Sequence, residues 1–335
     1  MSMISLAEVA GRAGVSTQTV SRVINGSPSV RESTRKRVAA IMQEVGYRPN
    51  AAARALRRGS FRTIGVITQG SNSSGNLLVL EAIAEEAARH DYAIAFTPLV
   101  TATDAGVMGA FSRMDELAVD AVIVLVDGNL LDGASGRTRE GAKVVVVDSG
   151  PASTCSLVDT DQAEGVRKAI EHLLDLGHAT VWHVAGPAGS RASDRRRDAW
   201  RATLAAAGKP VPPEILGDWT AESGYAAGLT LAEENGCTAV FAANDRIALG
   251  LLRAFKEMDI SVPEDISLIG FEDVAEAACF VPPLTTVRQN FAEIGVQCVR
   301  SVLRQIEPDG CETVDASVSC ELIVRGSTAP PKGVV

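Results

Sequence analysis

The sequence predicts a small all-α helix-turn-helix head followed by an α/β body of two doubly wound parallel-sheet subdomains. Three observations predict this fold class. Residues 1–60 contain ten Lys/Arg and three Glu, a charge of +7, so the rest of a chain whose net charge is −9 carries −16. Apolar residues recur at helical spacing in the head, and short apolar runs alternate with helix-like stretches after Thr63. The length of 335 residues allows two or three domains.

Composition narrows the class of protein. Hydrophobic residues make up 46% of the chain and charged residues 22%, which is typical of a globular protein. Apolar runs such as 121–126 are far shorter than the ~20 residues that cross a bilayer, and no signal-peptide pattern precedes Leu6. The six cysteines contain no CxxC pair, which argues against a zinc ribbon or a disulfide scaffold. We therefore expect a cytoplasmic protein without membrane contact, metal or cofactor.

The basic head is predicted to contain three helices. Ser5 to Glu8 form a capping box, in which Ser5 accepts from an early backbone N–H and Glu8 reaches back to the cap. Gly14 ends the first helix, Ser16 caps the second, and Gly46 ends the third. The predicted spans are 6–13, 17–25 and 31–45. Two short helices joined by a glycine turn, with a third packed behind them, make a helix-turn-helix.

The exposed face of the second helix carries polar side chains suited to DNA. Gln18 and Arg22 are four residues apart and share one helix face. A Gln side chain can pair with an adenine edge and an Arg side chain with guanine. Hydroxyl and amide groups suited to phosphate contacts belong to Ser16, Thr19, Ser21 and Asn25. Because the head is strongly basic, we expect DNA binding; a helical head that binds protein is the alternative.

Four stretches of the head carry a resemblance to a known family. They are Leu6-Ala7-Glu8-Val9-Ala10, Gly14-Val15-Ser16, Thr19-Val20-Ser21-Arg22-Val23-Ile24-Asn25 and Gly46-Tyr47-Arg48-Pro49-Asn50. These stretches resemble the N-terminal signature of the LacI/GalR family of bacterial transcriptional regulators. The resemblance implies that Thr17, Gln18 and Arg22 read bases. It also implies a homodimer on a near-palindromic operator, because the symmetry of such a protein is mirrored in its DNA.

The Ala-rich segment 50–59 has two interpretations. It ends at Gly59 and is too short to be a stable isolated helix in water, so the residues alone favour a solvated linker. The family resemblance implies instead a hinge helix that becomes ordered when two copies meet over the DNA minor groove. In this interpretation Ala53 and Leu56 lie at the minor groove, where Leu56 unstacks a central base step and kinks the DNA.

The body shows a strand–helix alternation that occurs twice. Apolar runs predict strands near residues 63–68, 92–96, 121–126, 143–147, 156–158, 179–185, 214–218, 238–243 and 266–270. Helices are predicted near residues 76–90, 104–118, 130–141, 161–176, 191–207, 221–235, 245–258 and 290–306, and strands near 313–324 complete both sheets. The doublet resembles the periplasmic sugar-binding-protein fold, in which ligand lies between two lobes that hinge.

These patterns also predict the domain boundaries. The DNA-binding domain spans 1–48, the hinge 49–61, the N-terminal effector subdomain 62–160 with about 291–318, the C-terminal effector subdomain 161–290 with about 319–328, and the tail 329–335. No leucine-heptad segment follows Arg325, which favours a dimer over a tetramer.

The body lacks the motifs of common α/β enzymes. The sequence contains no GxxxxGK[ST], no GxGxxG and no GxSxG, so the phosphate-loop and nucleophile-elbow interpretations lack their residues. The four histidines show no HExxH or other metal-ligand spacing, and His178 is expected to be structural. No catalytic constellation is found, and we expect a protein that is not an enzyme.

Polar side chains follow three of the predicted strands. Asp148 follows the first, Asn244 the second and Glu272 the third. Any one of them would be an ordinary helix cap or loop group. Ligands of parallel sheets bind at the carboxyl ends of strands, so three polar residues in this position favour a ligand site.

Further stretches of the body resemble the lac repressor subgroup of the same family. They are Gly217-Asp218-Trp219, Ala243-Asn244-Asp245, Ala248-Leu249-Gly250 and Cys279-Phe280-Val281-Pro282-Pro283-Leu284-Thr285-Thr286-Val287-Arg288-Gln289. The resemblance implies that sugar hydroxyls are hydrogen-bonded by Asp148, Arg196, Asn244 and Glu272. It implies that Trp219 and Phe291 cover the apolar face of the sugar ring, with Gln289 nearby.

Arg196 and Glu272 differ in how well they fit the family. Within the run 195–197, Arg196 alone keeps the family's spacing to Trp200 and inherits the ligand-binding role. The family usually has Asp where this chain has Glu272, and the extra methylene moves the carboxylate.

The sequence therefore predicts a transcriptional repressor whose affinity for operator DNA is controlled by a small sugar, with a galactoside favoured. A purine or another carbohydrate is the alternative effector. A sugar-binding transport protein is a further alternative, but it needs a signal peptide and no DNA-reading head.

Overall fold

The computed structural model describes residues 4–47, 59–69, 74–99, 101, 103–126, 143–147, 155–307 and 315–332. The chain divides into two compact units, residues 1–61 and residues 62–335. They are called the head and the body below. Among the residues described, no helix is long and apolar enough to cross a membrane.

The head is a three-helix unit, as predicted. Its helices are α1 (Leu6–Ala13), α2 (Thr17–Ile24) and α3 (Glu32–Glu44). Their apolar stripes meet in a core of Val9, Ala10, Ala13, Val20 and Val38. Gly14 adopts a left-handed conformation with φ +62°, which lets the chain turn sharply between α1 and α2. This turn fixes the second helix across the first.

The predicted capping box forms only in part. Ser5 Oγ accepts a hydrogen bond from Glu8 N at 3.2 Å, which satisfies one free donor of the first turn. The Glu8 carboxylate does not make the expected bond back to the cap and instead accepts from Arg12 Nη2 at 3.1 Å. An i, i+4 ion pair along the helix replaces the second half of the capping box.

The body contains two six-stranded sheets. The strands of the first lobe are β1 (Thr63–Gln69), β2 (Ala93–Leu99), β3 (Ala121–Leu125), β4 (Val144–Val147), β5 (Ser156–Thr160) and β11 (Asp315–Val318), in the spatial order β11-β5-β4-β3-β1-β2. The strands of the second lobe are β6 (Trp182–Ala185), β7 (Ile215–Leu216), β8 (Ala239–Ala242), β9 (Ser267–Glu272), β10 (Thr285–Gln289) and β12 (Cys320–Ile323), in the order β12-β10-β9-β8-β6-β7. Runs such as Val144–Val147 are buried throughout, as expected for strands covered on both faces.

Helices cover these sheets. The described helices of the body are α4 (Ser74–Arg89), α5 (Asp104–Glu116), α6 (Gln162–Asp175), α7 (Arg191–Ala206), α8 (Ala221–Ala232), α9 (Asp245–Glu257) and α10 (Phe291–Ile306). One 3-10 helix spans Ala275–Cys279. The helix predicted near 130–141 lies outside the described residues.

The predicted fold class is confirmed, with two differences in the second sheet. Strand β10 was not predicted, because its sequence TTVRQ is short and carries polar residues at both ends. Strand β12 runs antiparallel to β10, so the second sheet is not wholly parallel. This strand pairs with the backbone of β10 and becomes the edge of the sheet itself.

The chain passes between the lobes at three places that lie side by side. The crossings follow β5, β10 and β11. Asp161 N donates to Val318 O at 2.9 Å, which joins the first crossing to the third. Gln289 is paired with Cys320 in the ladder of β10 and β12, which joins the second to the third.

The C-terminal segment is fastened to the second lobe. His178 hydrogen-bonds to Thr238 Oγ1 at 2.9 Å and to the carbonyl of Ala329 at 3.0 Å. Ser327 Oγ donates to Leu268 O at 2.6 Å. His178 thus makes hydrogen bonds within the fold, as expected of a structural residue.

Candidate functional site

The first candidate surface is the exposed face of α2 in the head. The side chains of Thr17, Gln18 and Arg22 are exposed there. Ser16 Oγ accepts from Thr19 N at 3.2 Å and so caps the helix, and it lies 3.0 Å from Thr19 Oγ1. The exposed face of α2 therefore carries the three predicted base-reading side chains, and the Ser16 cap holds the N-terminus of this helix in place.

Further along α2, Asn25 Nδ2 donates to Ser21 Oγ at 3.5 Å. Ser21 is half-buried, whereas Asn25 is exposed. Both belong to the predicted phosphate-contacting set. Both residues lie close to Arg22, Ser21 in the C-terminal half of α2 and Asn25 as its C-cap.

The charges of the head leave this surface positive. Its described acidic side chains pair with basic ones: Glu8 and Glu44 with Arg12 at 3.1 and 4.0 Å, and Glu32 with Arg35 at 3.6 Å. Within residues 4–47, the guanidinium of Arg22 forms no ion pair. A free cation at the end of an exposed helix face is suited to a polyanion. Predicted hinge residues Ala53 and Leu56 lie outside the described residues.

The second candidate site lies between the lobes and is centred on Arg196. This side chain is 3% exposed. Its Nε donates to Gln162 Oε1 at 2.8 Å, and its Nη2 donates to Gln289 Oε1 at 3.2 Å. The guanidinium carbon lies 3.8 Å from the ring centroid of Phe271 and 5.5 Å from that of Trp219. The cation is thus held rigidly by groups from several strands and helices.

Asn244 and Trp219 are joined in the same region. Asn244 is fully buried; its Oδ1 accepts from Ile247 N at 2.8 Å and so caps α9. Its Nδ2 donates to the Trp219 carbonyl at 3.2 Å. Trp219 has φ +73°, and its ring lies so close to Gly186 that a Cβ at that glycine would collide with it. These contacts fix the indole beside the Arg196 guanidinium.

Glu272 of the second lobe lies close to Gly75 and Phe291 of the first lobe. A Cβ built on Gly75 would lie 3.3 Å from Phe291 Cε1 and 3.6 Å from Glu272 Oε1. Gly75 belongs to α4 of the first lobe, whereas Glu272 ends β9 of the second. The structure therefore brings five predicted effector residues of the second lobe, and Phe291, to one interlobe region. Asp148 lies outside the described residues.

The backbone that carries Glu272 is strained. Glu272 has φ +111° and Asp273 has φ +57°, and neither is glycine. Such conformations cost of order 1–3 kcal/mol each and persist where surrounding structure enforces them. Asp273 is held by Arg288 Nε at 2.7 Å and by Arg325 Nη2 at 2.6 Å.

The buried side chains of Asp245 and His183 in the second lobe have shifted pKa values. Burial raises the pKa of Asp245 to about 7, and the nearby negative charges of Glu272 and Asp273 also raise it, against the hydrogen bond from Thr286. Burial lowers the pKa of His183 to about 4. The His183 ring is stacked on Phe241, with 4.9 Å between centroids, and its neutral form is favoured there.

Asp245→Asn should make stability less sensitive to pH. Because the folded-state pKa of Asp245 is about 7 against an ordinary value of 3.8, the folded state binds the extra proton between these values. The stability contributed by this proton is present below pH 3.8 and is lost as pH rises through about 7. The difference in unfolding free energy, variant minus wild type, should therefore increase with pH. From about pH 4 to about pH 8 this increase is at most about 4 kcal/mol.

Urea denaturation at both pH values measures this difference. His183 has the opposite effect, since its lowered pKa removes stability as pH falls below 6.5, but it is present in both proteins and cancels. A pH-independent difference would show that Asp245 titrates normally.

Sequence reasoning missed several residues of the interlobe region. Gln162 accepts from Arg196, and Thr160 Oγ1 accepts from Gln289 Nε2 at 3.1 Å. Both are 2% exposed. Thr160 ends β5 and Gln162 begins α6 just beyond it, which is the same topological position that singled out the predicted residues. Gly75 gave no such signal, because its role comes from a contact with the other lobe.

No metal centre is found in the described part of the chain, where no three His, Cys, Asp or Glu side chains converge. The interlobe groups are instead hydrogen-bond donors and acceptors flanked by aromatic rings. That arrangement can bind a neutral polar molecule.

Comparison with known proteins decides the family. Residues 5–50 match the family described as bacterial regulatory proteins, lacI family, and residues 170–328 match the periplasmic binding protein-like domain. The lactose operon repressor of Escherichia coli (strain K12) is 31% identical over 336 residues, which cover 99% of this chain and 92% of that protein. The chain belongs to the lacI family of bacterial regulatory proteins. As a lacI-family member it is a transcription regulator whose helix-turn-helix head binds DNA.

Two other relatives also match this chain along almost its whole length. The HTH-type transcriptional repressor PurR of Photobacterium profundum is 30% identical, covering 97% of this chain and 98% of that protein. The HTH-type transcriptional regulator MalR of Streptomyces coelicolor is 32% identical, covering 98% and 97%. All these relatives are named as repressors or regulators.

Solved structures of the lacI family agree with the fold. The lac repressor dimer bound to operator and the anti-inducer ONPF has a TM-score of 0.89 at 28% identity, covering 98% of this chain and 100% of that one. The CelR–cellobiose complex has a TM-score of 0.71 at 27% identity, covering 97% and 99%. The head and both lobes are therefore shared along almost the whole chain.

Proposed function

We propose that this lacI-family protein is a cytoplasmic, dimeric repressor whose affinity for operator DNA is controlled by a small neutral sugar between the lobes. The observation that best supports this proposal is the interlobe cluster around Arg196. It combines buried hydrogen-bonding groups with the rings of Trp219 and Phe291. A neutral sugar needs donors and acceptors for several hydroxyls and an aromatic wall for its C–H face.

The charges near the cluster favour a neutral effector over a sugar phosphate. Arg195 is paired with Asp159 at 2.5 Å. Arg288 and Arg325 are both paired with Asp273. These cations are committed to carboxylates, so an incoming phosphate would have to break an ion pair to gain a second positive contact.

A galactoside is the favoured effector. Asp148 and Glu272 would accept from sugar hydroxyls, Arg196 and Asn244 would donate, and Gln289 would hold the Arg196 guanidinium in place. The relatives support a carbohydrate, since they include the lactose operon repressor and the CelR–cellobiose complex. Because PurR is as similar to this chain as the lactose operon repressor, the choice of a galactoside is tested by experiment below.

A purine is the second candidate effector. The rings of Trp219 and Phe291 are as well suited to stacking on a flat base as on a sugar ring. The relation to PurR, at 30% identity, favours this alternative specifically.

Titration of Trp219 fluorescence tests the proposal. Methyl galactosides should give a saturable change, and glucosides, their epimers, should bind about ten- to hundred-fold more weakly, because an unpaired buried polar group costs ~1–3 kcal/mol. Pentoses, purines and a sugar phosphate complete the panel. Trp219→Phe is the control, since it removes this signal and keeps Trp182 and Trp200. A saturable change with a purine or a sugar phosphate, but with no galactoside, would refute the choice.

The head is proposed to read the operator through α2. Gln18 and Arg22 would pair with base edges, together with Thr17. Ser16, Thr19, Ser21 and Asn25 would position the helix on phosphates. Sugar and operator binding are linked, so a sugar that weakens operator binding must be weakened equally by the operator.

Leu56→Ala is expected to reduce operator bending and operator affinity while the sugar affinity of the free protein stays unchanged. The reason is that an apolar wedge in the minor groove unstacks a base step and allows a bend, which Ala is too short to produce. Fluorescence energy transfer between the ends of an operator duplex measures the bend. Unaltered bending would remove the wedge from the proposal.

The proposed assembly is a homodimer, in which two heads contact the two half-sites of the operator. Sedimentation equilibrium at micromolar concentration should give twice the chain mass of 35.0 kDa. A stable tetramer in the same experiment would contradict it.

A further inference from the structure

We propose that Asp245 is a positioning residue of the effector site, whose buried side chain holds the backbone after β9 so that Glu272 presents its carboxylate between the lobes. The inference rests on the proposed function, since it takes Glu272 to be an effector contact. Asp245 itself is fully buried and is not proposed to contact the effector.

Asp245 links two neighbouring parts of the second lobe. Its Oδ2 accepts from Val274 N at 2.9 Å, two residues beyond Glu272. Its Oδ1 accepts from Thr286 Oγ1 on β10 at 2.6 Å. A Cβ at Gly270 would collide with Asp245 Oδ1, so the glycine in β9 makes the room that the carboxyl occupies. Asp245 thereby joins the loop after β9 to strand β10.

The residues on the C-terminal side of Glu272 are anchored independently of the cleft. Asp273 is fixed by Arg288 and Arg325, and Val274 is fixed by Asp245. Two consecutive positive φ angles, at residues 272 and 273, persist only while such anchors hold them. Losing the Asp245 anchor therefore allows the backbone to relax and the Glu272 carboxylate to turn away from Gly75 and Phe291.

The anchor can work in its neutral form. The carboxyl groups of Asp245, Glu272 and Asp273 lie close together, and the negative charges of the last two join burial in raising the pKa of Asp245. A protonated Asp245 donates to Thr286 Oγ1 and still accepts from Val274 N. Asn has the same shape and the same hydrogen-bonding pattern, whereas Ala has neither bond.

The test compares Asp245→Ala with Asp245→Asn in the full chain. Backbone amide exchange of a peptide covering 270–278 should accelerate about tenfold or more in the Ala variant and change little in the Asn variant. Calorimetry with methyl β-D-galactopyranoside and, separately, hypoxanthine should show a matching loss of about tenfold or more in affinity for whichever probe the wild type binds, with rescue by Asn. Operator affinity without either probe should stay unchanged.

The controls separate a local anchor from general damage. Asp265→Ala removes another carboxylate that accepts from a loop backbone, Ser261 N at 2.8 Å, and should leave exchange of 270–278 and both affinities unchanged. If Asp245→Ala does not fold, Thr286→Val removes the other partner of the anchor and should give a smaller change in the same direction.

The outcomes distinguish this inference from the proposed function. Unchanged exchange of 270–278 in Asp245→Ala, or equal loss in the Asn and Ala variants, would overturn the positioning role. Normal exchange in Glu272→Ala together with unaltered affinity for both probes would instead remove Glu272 from the effector site and overturn the proposed function there.

Discussion

Arg22→Ala is expected to relax the sequence preference of the protein at one base pair in each operator half-site. The Arg22 side chain is exposed on α2 and has no ion pair within the described head, so its guanidinium is available for a base edge. A bidentate pair is worth ~1–3 kcal/mol of discrimination, and a dimer loses two of them, about 2–6 kcal/mol in all. Binding-site selection from random duplexes, followed by titration of single-base variants, measures the effect.

Arg12→Ala provides the matched control for this change. It removes the same charge, but its guanidinium is paired with Glu8 and Glu44 and carries no predicted base contact. We expect it to alter binding to all duplexes alike, with a small change in salt dependence. Equal weakening of every sequence by Arg22→Ala would reassign Arg22 to a phosphate contact.

Arg196→Ala is expected to lower effector affinity by about 100-fold or more, because removing the buried guanidinium deletes a donor to the effector. The change also leaves the side-chain oxygens of Gln162 and Gln289 without their partner. A hydrogen bond from a charged donor is worth ~1.5–3 kcal/mol, so the loss of two such bonds to the effector accounts for the lower affinity. Isothermal calorimetry with the tightest-binding sugar of the fluorescence panel measures it.

Two further variants define what Arg196 supplies. Arg196→Lys keeps the charge but cannot bridge two acceptors in a fixed plane or stack on Phe271, so we expect only partial recovery. Arg197→Ala changes the next residue, which is paired with Asp194 at 2.7 Å and near Glu214 at 3.6 Å, and should leave affinity unchanged. Full recovery with Lys would mean that charge alone matters at this position.

The head was the most predictable part of the chain, because its signals are local. Caps, glycine turns and helical spacing are encoded within a few residues, and every predicted end of the three helices lies within one residue of the observed end. The failure at Glu8 is also local: Arg12, four residues on, is a competing partner that the capping-box pattern does not consider.

The body was predictable in its order of elements and less so in its pairing. Buried runs such as Val144–Val147 are apolar and easily recognised. Strand β10 was missed because its burial comes from β9 and β12 on either side, which are separated from it along the chain. Helix and strand patterns take no account of such partners.

The residues of the interlobe region also differ in how well the sequence predicts them. Asn244 and Glu272 were found from their place at strand ends, and Arg196 only through its resemblance to the family. The contact of Gly75 with Glu272 and Phe291 joins residues about 200 positions apart and leaves no local pattern. The anchoring of the Glu272 backbone by Asp245 is equally invisible, because it depends on a φ angle and on a gap over Gly270.

The three side-by-side crossings have a consequence for how the protein is made. The edge strand β11 of the first lobe and the edge strand β12 of the second are separated by Ser319 alone, near the end of the described chain. On the ribosome, neither sheet can acquire its last strand until residues 315–323 have emerged. The edge of β5, which ends at Thr160, therefore stays open for a long part of synthesis, and the edge of β10 for a shorter part. Both lobes therefore finish folding in one late event, during which the nascent chain is most exposed to wrong strand pairing.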